Sequence, residues 1–140
     1  MNILILQGPN LYLLGLKSSK KESRLTLDKL NKQIRSFSKD SGINLRTLQT
    51  HKQFQAINFL QRNRNWANGI LFIPTSWARN SYTILETINL IQLKTSVIYF
   101  DSDFSFGTSI EESIFFHDKI DSFTGSPIEA CIQGMEFLVK

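Results

Sequence analysis

The sequence predicts an α/β fold in which a parallel sheet is covered by helices on both faces. One observation is that short, continuous apolar runs end abruptly at glycine or proline, which is typical of strands buried on both faces. The other is that segments with apolar residues at helical spacing separate these runs. Strand and helix therefore alternate five times along the chain, which favours parallel strands joined by crossover helices.

The first strand is predicted from the apolar run Ile3-Leu4-Ile5-Leu6, which is stopped at once by Gly8-Pro9-Asn10. In an open α/β sheet, ligands bind in the crevice beyond the carboxyl ends of such strands. Asn10 is therefore the first candidate binding residue. The alternative is that Gly-Pro-Asn forms only a turn.

A polar, basic segment, residues 16–24, has no apolar periodicity and is predicted to be a mobile loop of the kind that forms lids. Thr26 is a predicted N-cap for a helix that ends at Ser41-Gly42. Residues 43–49 are predicted to form the second strand and residues 53–65 the second helix. The predicted inward-facing residues of these two helices are Leu27, Leu30, Ile34 and Phe37 in the first, and Phe54, Ile57 and Leu60 or Gln61 in the second.

The carboxyl-terminal half continues the same alternation. Strands are predicted at residues 69–73, 95–100 and 120–123, the last at an edge of the sheet. Ser81 is a predicted cap for the third helix, and Ser109 with Glu112 has capping-box spacing. A closing helix is predicted at residues 128–139. The predicted inward-facing residues are Ile84, Leu85, Ile88 and Ile91 in the third helix, and Cys131, Ile132, Met135 and Leu138 in the last.

This order of elements predicts one domain, residues 1–140, with a flavodoxin-like, three-layer fold and strand order 2-1-3-4-5. Cys131 is the single cysteine, so that no internal disulfide forms and a reducing compartment is expected. The amino terminus lacks a basic region before its short apolar run, which argues against a signal peptide or a membrane span. We expect a cytoplasmic protein, with an organelle stroma as the alternative.

Charge is distributed unevenly along the chain. Residues 1–70 carry 12 Lys and Arg against 3 Asp and Glu, whereas residues 71–140 carry 4 against 9. Such asymmetry is compatible with nucleic-acid contact through the basic half, with head-to-tail attraction between like subunits, or with solvated faces that have no partner. Aromatic residues do not interleave with the basic residues of the 17–39 region, so nucleic acid is the less favoured partner.

No motif for a cofactor is present: the sequence has no P-loop, no dinucleotide-binding glycine pattern and no HExxH. The two histidines, His51 and His117, lie far apart, and no cluster has the spacing of a structural metal site. Carboxylates near the strand ends leave a hard cation such as Mg²⁺ as an alternative to solvated surface charges.

The segment Gly8 to Gly15, GPNLYLLG, closely resembles the GPNLNLLG opening of type II 3-dehydroquinases. The likeness continues through Thr26-Leu27, Leu48-Gln49-Thr50, the segment GILFIPTSWARNS at residues 69–81, and Gln133-Gly134. The resemblance implies the flavodoxin-like fold, a homo-oligomer (a trimer, or a dodecamer of four trimers), and removal of water from 3-dehydroquinate through an enolate without metal or cofactor.

Carried over residue by residue, the resemblance places the family's catalytic functions on altered side chains. The lid tyrosine that takes the proton falls on Glu22, the lid arginine on Lys17, and the histidine that acts as general acid on Asp101. Asn10 is the main functional side chain that is retained. The predicted catalytic positions are therefore Asn10, Lys17, Glu22 and Asp101.

The ligand-binding positions implied by the resemblance are altered in the same way. The binding asparagine falls on Ile73, the THTS histidine on Arg79, the arginine of the next short helix on Glu112, and an aspartate from a neighbouring subunit on Glu86. The family's serine falls near Ser102 and Asp103. Three acids, Asp101, Asp103 and Glu112, are expected to bring negative charge toward a pocket that holds an anion, and so to oppose its binding.

These substitutions predict a homologue whose dehydratase activity is lost or strongly reduced, a pseudoenzyme with a structural or ligand-binding role. The alternative is an active 3-dehydroquinate dehydratase or related lyase with a rearranged acid/base set. The ligand itself is not predicted.

Overall fold

The computed structural model describes residues 1–18 and 24–140, and it has the predicted five-stranded parallel sheet with the order β2-β1-β3-β4-β5. The strands are β1 (Asn2–Gln7), β2 (Asn44–Gln49), β3 (Gly69–Ile73), β4 (Lys94–Phe100) and β5 (Ile120–Gly125). Every neighbouring pair is parallel, so the carboxyl ends of all five strands lie at one end of the sheet.

Six α-helices lie in the described part of the chain, and two of them are single turns. They are α1 (Leu14–Lys17), α2 (Leu27–Asp40), α3 (Gln53–Asn63), α4 (Trp77–Asn80), α5 (Tyr82–Ile91) and α6 (Pro127–Leu138). Short 3₁₀ turns cover Leu11–Leu13, Ser102–Phe104 and Ile110–Glu112. The short elements α1, α4 and the first two 3₁₀ turns were not predicted, because one turn is too short to show apolar periodicity.

The two faces of the sheet carry separate apolar clusters. Side chains of α2 and α6 pack on one face with Ile3, Ile5 and Leu71. Side chains of α3 and α5 pack on the other face with Leu4, Leu6 and Phe72. Strands β1 and β3 contribute to both clusters because successive side chains point to opposite faces, which explains their continuous apolar sequences.

The predicted caps are partly confirmed. Thr26 accepts a hydrogen bond from the Lys29 amide at 3.2 Å, and Ser109 forms a capping box with Glu112. Ser81 precedes α5 but makes no side-chain cap, so that prediction was wrong. Its hydroxyl instead donates to the side-chain oxygen of Gln53 and links α5 to α3.

The predicted inward-facing position was wrong for two residues. Phe54 is 61% exposed, because α3 turns Ala56 toward the core together with the predicted Leu60. Ile132 is only partly buried, whereas Cys131, Met135 and Leu138 on the same helix are buried as predicted. Burial also raises the pKa of the Cys131 thiol far above its ordinary value, which makes this cysteine unreactive.

No helix in the described residues is long and apolar enough to span a bilayer.

Candidate active site

A crevice of about 240 Å³ lies beyond the carboxyl ends of β1, β3 and β4. Three chain segments meet there: the turn after β1, the turn after β3, and the loop that follows β4. The position agrees with the rule that ligands of open α/β sheets bind beyond the strand ends. The crevice is lined by Pro9, Asn10, Lys17, Thr75, Ser76, Ser105, Phe106 and Gly107.

The turn after β1 is held tightly against the turn after β3. The Gly8 amide donates to the Ile73 carbonyl at 2.8 Å, and a Cβ at Gly8 would lie 2.3 Å from the Pro74 carbonyl oxygen. Only glycine fits this approach. Asn10 then adopts a left-handed conformation with φ 67°, which asparagine tolerates better than most residues. The predicted turn therefore exists, and it places Asn10 in the crevice wall.

Thr75 lies in the turn after β3 and links it to the turn after β1. Its backbone is left-handed with φ 52°, an unfavourable conformation for a β-branched residue. Its buried hydroxyl lies 2.8 Å from the Pro9 carbonyl oxygen and donates to it. This hydrogen bond across the crevice floor offsets part of the backbone strain and fixes the residue that precedes Asn10.

The third wall is the loop after β4. Gly107 has φ 75°, and a Cβ there would lie 2.5 Å from the Ser76 amide nitrogen. The loop therefore packs directly on the β3 turn. Arg79 holds it from outside, with its guanidinium 2.8 Å from a Glu112 carboxylate oxygen and 3.5 Å from the Gly107 carbonyl oxygen.

Hydrogen bonds join the described residues on either side of the predicted lid. The Ser18 hydroxyl lies 2.6 Å from the Leu25 carbonyl oxygen, and the Leu25 amide donates back to that hydroxyl at 3.0 Å. Arg24 donates to the Gly15 carbonyl at 3.0 Å. These contacts fix the end of α1, and Lys17 is thereby placed in the crevice lining.

Lys17 is the one ionisable side chain among the described residues of this lining. The rest of the lining offers an amide from Asn10, hydroxyls from Thr75, Ser76 and Ser105, backbone groups and one aromatic ring. Amides and hydroxyls donate and accept hydrogen bonds but carry no charge near neutral pH. The arrangement is therefore suited to binding a small polar ligand, with one positive charge to attract it.

The structure brings together two of the four predicted catalytic residues. Asn10 and Lys17 share the crevice, whereas Asp101 does not belong to its lining. Glu22 lies outside the described residues. For these residues the catalytic roles stay predictions.

None of the predicted ligand-binding residues belongs to the described lining of the crevice. Ile73 is buried under the β3 turn, and Ser102 and Asp103 form an exposed turn after β4. Glu86 is exposed on α5 and borders a different groove, beside Tyr82 and His117. Their binding roles are not tested by these positions.

Arg79 and Glu112 are paired with each other. Hydrogen bonds from Ser109 hold the pKa of Glu112 below its ordinary value, and the Arg79 charge lowers it further. The expected crowding of three acids into the pocket is therefore absent from the described lining, and the charge of Glu112 is offset by Arg79.

Sequence reasoning overlooked Thr75 and Ser76 as site residues. The signal that identifies them is their position, since they directly follow a buried strand in the middle of the sheet. Among the described residues, no group of three His, Cys, Asp or Glu side chains is placed to hold a metal ion.

Comparison with known proteins gives one consistent family. The family model described as dehydroquinase class II matches residues 1–101. The curated 3-dehydroquinate dehydratase of Pelotomaculum thermopropionicum is 24% identical over 105 residues, which are 75% of this chain and 73% of that protein. The corresponding protein of Geotalea daltonii is 32% identical over 88 residues, 63% of this chain and 61% of that one. In several of these relatives the matched region covers less than two thirds of the length.

Solved structures match over the whole chain. The type II dehydroquinase of Butyrivibrio crossotus superposes with a TM-score of 0.85 at 20% identity, covering 100% of this chain and 98% of that one. The type II dehydroquinase of Propionibacterium acnes gives 0.77 at 14% identity, covering 99% and 97%. Because both structures are less than 25% identical in sequence to this chain, the match establishes a shared fold and nothing further.

Proposed function

Because the chain belongs to the class II dehydroquinase family, we propose that it binds a small polar ligand in the crevice beside Asn10 and has lost most or all dehydratase activity. The observation that carries the proposal is the composition of the crevice lining. Lys17 is its one ionisable side chain among the described residues, beside an amide and hydroxyls.

Dehydration of 3-dehydroquinate needs a group that takes a proton and a group that gives one to the departing hydroxyl. Such groups work best when their pKa lies near the working pH. The ammonium group of a lysine has three hydrogen-bond donors and no acceptor, and Lys17 is exposed, so it is suited to attract an anion rather than to take a proton. Binding therefore fits this lining better than acid/base catalysis.

The positions that the family resemblance assigns to binding and catalysis support the same proposal. Ile73 offers a hydrocarbon side chain where the family has an amide, and it is buried. Asp101 offers an exposed carboxylate where the family has an imidazole. A carboxylate only accepts hydrogen bonds, so it has no proton to give to a leaving hydroxyl.

The test is an ultraviolet assay for the conjugated enone that dehydration produces, with a type II enzyme measured beside the purified protein. We expect no turnover above background from this chain. Isothermal titration with 3-dehydroquinate measures affinity separately, and Lys17→Met should weaken any anion binding that the crevice retains. Turnover that is abolished by Asn10→Ala would overturn the proposed loss of activity.

An active 3-dehydroquinate dehydratase or related lyase with a rearranged acid/base set is the second candidate. The observation that favours it is the placement of Lys17 in the same crevice as Asn10. In this case Glu22 would supply the base, and the rate should fall when either Glu22→Gln or Lys17→Met is introduced. A rate unchanged by both variants would exclude this acid/base set.

The family resemblance also carries the proposal of a homo-oligomer, a trimer or a dodecamer, and the single cysteine supports the proposal of a cytoplasmic location. Light scattering during size-exclusion chromatography measures the first. The chain has a mass of 16.1 kDa, so the assemblies are readily separated by mass.

A further inference from the structure

The helical stretch formed by the first 3₁₀ turn and α1 is apolar on both of its sides. Leu11 and Leu14, which are three residues apart, are fully buried in the core. Three apolar side chains on the outer side are between 44% and 74% exposed and form what we name the outer apolar patch: Tyr12, Leu13 and Leu16. They share one side because residues three or four apart are neighbours on a helix surface. A helix that is apolar all round is normally buried all round, so this patch is a surface that another molecule can cover.

The tyrosine of the patch is a departure from the family's opening motif. This chain reads GPNLYLLG where the family reads GPNLNLLG, so that the one difference in the motif is Tyr12 in place of asparagine. The ring is 74% exposed and therefore does not fill the core. The exchange replaces a polar surface group by an aromatic one, and aromatic residues are enriched where proteins bind partners. The patch is therefore a property of this chain's surface rather than a requirement of the fold.

A groove of about 330 Å³ lies beside the patch and is lined by residues of α1 and of the start of α2. The patch and Leu27 supply its apolar lining. Gly15 also lines the groove, and a Cβ there would lie 3.0 Å from the guanidinium of Arg24. The glycine therefore lets the two segments approach closely. A concave apolar site of this size can receive a few large side chains of a partner.

The border of the groove is basic. Arg24 lines it, and the Lys29 ammonium group donates to the Arg24 carbonyl oxygen at 3.1 Å. Asp28 is the one acid of the described lining, and Lys32 follows it by four residues, so that the two are neighbours on the surface of α2. Residues 24–35 hold four basic residues against one acidic residue. A partner with acidic groups is therefore complementary in charge to this border.

We propose that the groove docks an acidic segment of another protein, with apolar side chains against the outer apolar patch and carboxylates toward Arg24 and Lys29. Apolar anchors in a groove supply most of the affinity, and complementary charges at the border select the partner. Many helices that bind bilayer surfaces are about 20–30 residues long, whereas this helical stretch has seven residues. A protein segment therefore fits this surface better than a membrane does. The proposal does not depend on the ligand of the crevice.

Selection from a phage-displayed library of random peptides is the first test. The library is depleted on the Tyr12→Ser/Leu16→Ser variant and then selected on the wild-type protein, so that only peptides that need the patch are enriched. We expect the enriched peptides to contain Asp or Glu together with an aromatic or large aliphatic residue. Failure to enrich any peptide over the depleted library, or enrichment of basic peptides, overturns the proposal.

Titration of an enriched peptide, followed by fluorescence anisotropy, then separates the two contributions. Tyr12→Ser/Leu16→Ser should weaken binding by about tenfold or more, because the apolar anchors lose their contacts. Changing the peptide's Asp and Glu to Asn and Gln should weaken binding by about threefold or more at low salt. An unchanged affinity in either experiment, with the variant folded by circular dichroism, refutes the proposal.

Leu90→Ser is the matched control. Leu90 is 75% exposed on α5, which packs on the opposite face of the sheet from α2. Its substitution should leave the affinity for the peptide unchanged, and a loss equal to that of the patch variant would show unspecific apolar binding. In NMR spectra of the wild-type protein, the peptide should shift the backbone amide signals of residues 12–16 and 24–28. Shifts confined to other residues contradict the assigned surface.

Two further measurements identify other occupants of the patch. Co-sedimentation with phosphatidylserine vesicles that Tyr12→Ser/Leu16→Ser abolishes would identify a membrane surface and refute the proposal. Sedimentation velocity of the same variant compares its mass with that of the wild-type protein. A smaller mass for the variant would show that a second copy of the chain covers the patch, which also refutes the proposal. We expect no vesicle binding and equal masses.

Discussion

At the scale of single residues, the crevice depends on three left-handed backbone positions in three separate segments. Asn10, Thr75 and Gly107 have φ values of 67°, 52° and 75°. Each of these residues lies in a turn that contacts one of the other two turns. Contacts between the turns therefore maintain the strained backbone conformations. Strained residues gather at functional sites because surrounding contacts are needed to maintain them. On the side formed by Asn10 and Thr75, the two turns are therefore joined by a hydrogen bond.

Gly8→Ala should destabilise the protein by about 3 kcal/mol, because its Cβ would meet backbone rather than a movable side chain. Gly42→Ala is the control, since Gly42 has φ 68° with open space around it and should cost only about 1 kcal/mol. Urea unfolding measures both free energies. Equal losses would show that the approach of Gly8 to Pro74 is not tight.

Glu112 should have a carboxyl pKa below that of an ordinary glutamate. The hydrogen bond with the Ser109 hydroxyl is the largest single cause, so Ser109→Ala, which removes it, should raise this pKa more than Arg79→Gln, which removes the charge of Arg79 but keeps a hydrogen-bond donor. Because the folded pKa is lowered, the carboxylate stabilises the folded protein above the ordinary glutamate pKa, and this contribution disappears as pH falls through the lowered value. Carbon-13 NMR of the carboxyl group measures each pKa, and a larger rise in the Arg79 variant would reverse the assignment.

At the scale of elements, the long helices follow rules that can be read locally. Helix α2 begins at the Thr26 cap, has Asp28 in its first turn and Lys39 in its last, and is followed by Gly42 with φ 68°. Its buried residues Leu27, Leu30 and Ile34 recur at helical spacing. Each signal acts within a few residues, which is why the sequence predicts this helix so closely.

Thr26→Ala should therefore destabilise the protein by about 1 kcal/mol, through loss of the hydrogen bond to the Lys29 amide. Thr26→Ser keeps the capping oxygen and should stay within about 0.5 kcal/mol of the wild type. Thermal unfolding followed by circular dichroism compares the two. A Ser variant as unstable as the Ala variant would assign the effect to the lost methyl group instead.

At the scale of the whole molecule, the two apolar clusters share one sheet. Strands β1 and β3 contribute alternate residues to each cluster, so one cluster cannot lose its order without disturbing the strands of the other. The chain should therefore unfold as one cooperative unit, as small single domains usually do.

Ile34→Ala in one cluster and Leu60→Ala in the other should each cost about 3 kcal/mol, since both side chains are buried. Both should shift the same single urea transition, measured by circular dichroism and by tryptophan fluorescence. Leu90→Ala, at a side chain that is 75% exposed, should change stability by less than about 0.5 kcal/mol. Two separate transitions in either core variant would contradict cooperative unfolding.

The sequence by itself determined the fold class and most helix limits, because buried runs, caps and breakers act between near neighbours along the chain. The strand order followed from the fold class that the alternation of strands and helices predicts. The sequence also placed Asn10 at the end of β1. Tertiary structure decided which distant groups meet. It brought Lys17 into the crevice with Asn10, added Thr75 and Ser76, and paired Arg79 with Glu112, which lies 33 residues away. These contacts depend on how closely three loops pack across the strand ends, and no local pattern specifies that packing.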